Sequence, residues 1–157
     1  MEKVYLETSV VSYLVARRRP DLLVAARQQL TIDWWQKERE KFELYASEVV
    51  LQEASAGDAG EITKRLAALA DIPLLDISNE AIRLADLLLK KGTVPPKAGR
   101  DALHIAVATY HRMDYLLSWN CKHIANAHVR KMVDRVFRAE GYESPEICTP
   151  EELGEVI

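Results

Sequence analysis

The stretch from Gly99 to Asn126, GRDALHIAVATYHRMDYLLSWNCKHIAN, decides how the rest of the chain is read. It spells a helix, a tight turn, a strand and a polar loop in immediate succession. Leu103, Ile105, Ala106, Val107 and Ala108 are apolar on nearly every side, so the pattern predicts a helix covered all round. Tyr115, Leu116 and Leu117 form a short unbroken apolar run, as in a strand buried on both faces of a parallel sheet. Asp101 opens the helix, and Ser118 and Asn120 leave the strand at its C-terminal end. Open parallel sheets collect ligands beside such ends, so these residues suggest a site. Each has a plainer alternative: Asp is a favoured helix N-cap, and Asn is a common loop residue.

The N-terminus shifts that balance. Val4, Tyr5 and Leu6 read as a first strand with Glu7 at its exit, so a carboxylate occupies the same kind of position as Asn120. Thr8 and Ser9 follow, and Ser9 is expected to cap a short helix through Tyr13 and Leu14.

The bulk composition bounds the remaining classes. The 157 residues fit one domain with a real core, and 48% hydrophobic with 29% charged residues is ordinary globular usage. A formal net charge of -3 argues against a protein held to nucleic acid chiefly by phosphate attraction. It leaves room for an acidic pocket whose cation reverses the local sign. Cys121 and Cys148 make no CxxC pair and fit a reduced, cytoplasmic protein. Charges in MEKVYLETSV oppose a signal peptide, and no apolar run reaches membrane-spanning length.

Between the two ends, strands and helices alternate. Arg17, Arg18, Arg19 and Pro20 break the chain before a helix expected from Asp21 to about Lys41, with Leu23, Ala26, Leu30 and Trp34 on its inner face. Trp34 and Trp35 point different ways, so one of them is expected in the core. Phe42 to Ala46 reads as a strand, Ser47 starts a helix from Glu48 to Ala54, and Asp58 with Glu61 frames another. Pro73 to Ile77 suggests a third strand, and Ser78 caps a helix ended by Lys90, Lys91 and Gly92. After Asn126, Val129, Met132, Val133, Val136 and Phe137 mark an amphipathic helix stopped at Gly141. Ile147 and Cys148 make a small last strand, and Thr149, Pro150, Glu151 and Glu152 read as a capping box opening a final helix. The alternation predicts right-handed crossovers and one three-layer α/β/α domain over 1–157, with a central parallel sheet.

Glu7, Glu53 and Asp101 lie far apart in sequence, each at an element end or on a flanking helix. Carboxylates that converge repel one another unless a cation joins them. Mg²⁺ suits such a set because it binds through one or two carboxylates and keeps several waters. Asn120 and Ser118 would then hold a water or a substrate oxygen, and the chemistry served would be attack on a phosphodiester. P-loop, GxGxxG and GxSxG patterns are all absent. Cys121, His123 and His128 lack the paired spacing of a zinc site, and His104 reads as a satisfied core histidine near the pocket.

The segments YLETSVVSYL, SEVVLQEA, GRDALHIAVA and YLLSWNCKHIAN together resemble the PIN domain family, in particular its VapC-like members. The resemblance spans nearly the whole chain and implies a three-layer α/β/α fold with an acidic Mg²⁺ or Mn²⁺ site. It implies a metal-dependent endoribonuclease, the toxin of a type II toxin-antitoxin pair, with an RNA substrate, an antitoxin partner and a homodimeric state. Carried over residue by residue, Glu7, Glu53 and Asp101 take the places of the metal-binding acids, and Asn120 takes a position often held by a fourth acid. Thr8 or Ser9 matches the small hydroxyl after the first acid, and with Ser118 they are the expected substrate contacts. Two departures stand out: Glu7 is one methylene longer than the usual Asp, and Asn120 is neutral. A PIN-fold protein that binds RNA or a partner through a weakened metal site is therefore the alternative.

Overall fold

The computed structural model describes residues 1–154. Five strands, β1 (Glu2–Leu6), β2 (Phe42–Ser47), β3 (Leu74–Leu75), β4 (Tyr115–Leu117) and β5 (Glu146–Cys148), form one sheet in the order β3-β2-β1-β4-β5. Every pairing is parallel. Parallel neighbours need crossovers, and helices supply them. These are α1 (Thr8–Val15), α2 (Leu22–Lys37), α3 (Glu48–Ala54), α4 (Ala59–Leu69), α5 (Asn79–Lys90), α6 (Gly99–Tyr110) and α7 (Ala127–Ala139). Helix α1 packs against α2, α3 and α4, while α5 packs against α6 and α7, giving the expected three-layer α/β/α arrangement.

The strand order places the site. From β1 the chain builds β2 and β3 to one side, and β4 and β5 to the other. The order therefore reverses at β1, and a crevice opens beyond the C-terminal ends of β1 and β4. Register brings those ends level, with Leu6 opposite Leu117 and the Glu7 N–H donating to the Leu117 carbonyl at 3.1 Å. Val4, Tyr5, Leu6, Leu116 and Leu117 are wholly buried, so the strands under the crevice cannot slip by a residue without exposing apolar side chains. Helix α6 is covered nearly all round, with Ala102 and His104 through Thr109 buried. No helix among the described residues is long and apolar enough to cross a membrane.

Several elements differ from their sequence pattern for identifiable reasons. Ser9 does not cap α1; Glu7 does, its side chain accepting the Ser9 N–H at 3.1 Å. Glu7 directly precedes the first helical residue, so its carboxylate reaches an orphan N–H of the first turn. Helix α2 stops at Lys37, and Arg39–Lys41 is a separate 3-10 turn. Its inner face carries Gln28, Thr31 and Trp34, whereas Leu23 is 60% exposed. The polar pair is tolerated inside because both side chains are bonded. Gln28 donates to the Arg17 carbonyl at 2.8 Å, and Thr31 to the Arg27 carbonyl at 2.6 Å. Trp34 is the core member of the tryptophan pair, and Trp35 is half-buried under Arg39. Strand β3 has two residues instead of the expected five. Thr149 and Glu152 do bond, but they close a turn rather than open a helix over the described residues.

Thr31 also holds the loop that follows β4. Trp119, next to the crevice, donates its indole N–H to the Thr31 hydroxyl at 2.7 Å, and Arg27 lies 5.3 Å above its ring. Replacing Thr31 by Val keeps the shape and deletes the acceptor. Thr31→Val should lower unfolding stability by about 1–3 kcal/mol, the cost of stranding a buried donor. Urea denaturation checks this, and an unchanged midpoint would show that water takes over the bond.

Candidate functional site

Two carboxylates from opposite parts of the chain meet in the crevice. Glu7 is delivered by β1, and Glu53 by α3, which touches both α1 and α6. One oxygen of each lies within 4.8 Å of the other and of a ring nitrogen of His104. Among the described residues this is the group of acidic, His or Cys side chains close enough to share one metal ion; Cys121, His123 and His128 form no such group.

Glu7 is 5% exposed, and a carboxylate removed from water needs donors in its place. Its Oε1 accepts the Ser118 hydroxyl at 2.6 Å and also the Ser9 hydroxyl, while its Oε2 takes the Ser9 N–H. Each hydroxyl is itself fed from the loop after β4. The Trp119 N–H donates to Ser9 Oγ at 2.8 Å, and the Asn120 N–H donates to Ser118 Oγ at 2.9 Å. Every proton in this knot points toward the carboxylate, so each hydroxyl has one donor role and one acceptor role filled.

Glu53 is held from the other side. Its Oε1 accepts the Thr8 hydroxyl at 2.7 Å and lies 2.5 Å from His104 Nε2. Burial opposes its charge, but the His104 hydrogen bond, the His104 charge, the Thr8 hydroxyl and the Arg100 charge together hold its carboxyl below the usual range. Behind it, the Tyr5 hydroxyl lies 2.7 Å from both His104 Nδ1 and Ser47 Oγ. Burial pushes the Tyr5 phenol far above its ordinary value, so it stays protonated.

The sequence-derived candidates divide accordingly. Glu7 and Glu53 come together. Asp101 sits in the first turn of α6 and caps nothing; Ala98 is the N-cap, and Asp101 Oδ2 lies 3.0 Å from His123 Nδ1 instead. It stands outside the cluster of Glu7, Glu53 and His104. Asn120 turns its side-chain oxygen back to the His123 N–H at 3.0 Å. Thr8, Ser9 and Ser118 all direct their hydroxyls at the two glutamates. Tyr5, Ser47 and His104 escaped the sequence reading as site residues. His104 was legible as a buried histidine near the pocket, and it is wholly buried. Its bond to Glu53 joins residues 51 positions apart, which no local pattern signals.

The chain matches the model of the PIN domain family over residues 4–120. No curated protein matches it significantly. Among solved structures, it is similar to VapBC-5 from Mycobacterium tuberculosis, a member of the VapBC family of toxin-antitoxin systems. That match has a TM-score of 0.52 and 17% identity, covering 95% of this chain and 99% of the other. It is also similar to VapBC2 from Rickettsia felis, solved bound to a DNA fragment from their promoter. There the TM-score is 0.56 at 17% identity, covering 76% of this chain and 89% of the other. At that identity the likeness is one of fold.

The lowered carboxyl of Glu53 gives a signed expectation for the metal-free protein. A group depressed on folding contributes stability above its ordinary range, and that contribution is lost as pH falls through the depressed value. Thermal melts in chelator should therefore show the parent losing stability on acidification more steeply than Glu53→Gln. Parallel curves would mean that His104 and Thr8 do not favour the charged carboxylate.

Proposed function

The chain belongs to the PIN domain family, and on that premise we propose that it is a metal-dependent ribonuclease, the toxin of a toxin-antitoxin pair. PIN domains are typically metal-dependent nucleases, and the two VapBC structures of similar fold support an antitoxin protein as partner. One domain over 1–157, an RNA substrate, a homodimer and a cytoplasmic location belong to the same reading.

The observation that carries it is the approach of one buried and one half-buried carboxylate at a sheet switch point, with one oxygen of each inside a 4.8 Å cluster. Like charges so placed favour a shared cation, and an all-oxygen pair suits Mg²⁺ or Mn²⁺. We assign Glu7 and Glu53 to hold the ion, with Asp101 as the third acid and Asn120 as the neutral neighbour. When bound, the ion supplies positive charge to a phosphodiester and makes water a stronger nucleophile. The chain supplies the rest. Ser9, Ser118 and Thr8 aim the carboxylates, and the Trp119 and Asn120 N–H groups hold the Ser9 and Ser118 hydroxyls in place.

Cleavage of single-stranded RNA should require Mg²⁺ or Mn²⁺ and stop in chelator. Glu7→Gln should abolish it, while Glu7→Asp, which restores the shorter acid of the family, should remain active. Cleavage that survives both chelator and Glu7→Gln would overturn the nuclease reading. Metal-dependent RNA binding without cleavage would support the binding-protein alternative.

Asp101 is tested by stability. A ligand present at about a hundredfold excess over its dissociation constant stabilises the fold by about 2.7 kcal/mol. Asp101→Asn should leave the metal-free melting temperature equal or higher and shrink the rise on adding Mn²⁺. An equal rise in parent and variant would remove Asp101 from the metal set and leave it as the partner of His123.

A further inference from the structure

We propose that His104 is a positioning residue for Glu53, and that Tyr5 and Ser47 lock His104 into that role. The inference rests on the reading of Glu53 as a metal ligand and goes beyond it to residues of the buried core.

The hydrogen-bond network assigns the protons. Glu53 Oε1 already accepts the Thr8 hydroxyl, and a carboxylate that holds a metal is ionised and only accepts. His104 Nε2, 2.5 Å from Glu53 Oε1, must then carry a hydrogen and donate it. Its other nitrogen, Nδ1, is occupied by the Tyr5 hydroxyl at 2.7 Å, which has Ser47 Oγ at 2.7 Å on its far side. Both ring nitrogens of His104 are thus engaged. A nitrogen that holds a hydrogen toward a carboxylate offers no lone pair to a metal, so His104 is withheld from coordination although it lies in the cluster.

Rigidity follows from burial. Tyr5, Ser47 and His104 are all 0% exposed, and each comes from a different element: β1, β2 and α6. None can turn away without stranding a polar atom inside the core. Glu53, by contrast, is partly exposed near the C-terminal end of a short helix, and its side chain has three torsions to fix. His104 and Thr8 both fix the same atom, Oε1, which leaves Oε2 without either partner and free to face the cation. The arrangement prepares Glu53 as a one-oxygen ligand before any ion arrives.

The test compares three substitutions in the full chain, with Mn²⁺ as the probe and titration calorimetry as the readout. His104→Gln keeps an N–H donor near the Nε2 position. His104→Met keeps a similar volume and has no donor. Loss of an outer partner to a ligand typically weakens metal binding by about 10–100-fold. His104→Met should show that loss, and His104→Gln should recover most of it, with melting curves in chelator confirming that each variant is folded. Tyr5→Phe deletes one hydroxyl and no carbon, and it serves independently if His104→Met does not fold; it should weaken Mn²⁺ binding by several-fold or more. A purely structural histidine would alter the melting temperature and leave the affinity of the folded variants alone. Equal Mn²⁺ affinity in the parent, the folded His104 variants and Tyr5→Phe would overturn the inference while sparing the metal reading. If the parent itself binds no Mn²⁺, the metal reading fails and takes this inference with it.

Discussion

A carboxylate buried at the end of a central strand is the constraint around which this fold is arranged. Glu7 is 5% exposed, and leaving such a charge without donors costs several kcal/mol. The chain meets that demand with two hydroxyls and one backbone N–H. Because Ser118 lies 111 residues from Glu7, the knot can form only when β1 and β4 are paired in register. The loop after β4 must also bend back so that the Trp119 and Asn120 N–H groups reach the two hydroxyls. Local polarity and global topology are thereby linked through one oxygen atom.

The same logic explains the polar thread through the core. Tyr5 sits in the middle of a strand whose neighbours Val4 and Leu6 are wholly buried, yet its hydroxyl finds both Ser47 and His104. A fully paired polar chain is acceptable inside a protein, and a partly paired one is worse than hydrocarbon. Here the chain terminates on Glu53, which accepts without needing to donate. The route runs from β2 through β1 to α6 and α3, so four elements share one hydrogen-bonded line beneath the crevice.

Reactivity elsewhere is suppressed by burial. Cys148 lies on an edge strand of the sheet, and burial pushes its thiol up to about 12, which leaves it inert. Cys121 is also unpaired, in keeping with the absence of a CxxC motif in the sequence.

The sequence by itself determined the elements whose hydrophobic period is unambiguous. The runs at Val4–Leu6 and Tyr115–Leu117, the all-round apolar helix behind Asp101, and the caps at Asp58 and Ser78 each follow from local stereochemistry and burial. It also placed Glu7 and Glu53 as candidate acids, because a carboxylate at a strand exit or on a flanking helix is visible in one dimension. The partners were decided elsewhere. The rotation of α2 toward Gln28 and Thr31 depends on acceptors in the Ala16–Arg17 segment and on the indole of Trp119. Ser9 yielded the cap to Glu7 because its hydroxyl is drawn to that same carboxylate. Asp101 turned to His123, and His104 joined Tyr5 to Glu53. Periodicity reports which face of an element avoids water, but it carries no information about which distant atom will accept a proton. Only the packed tertiary structure, by removing water as an alternative partner, makes those choices.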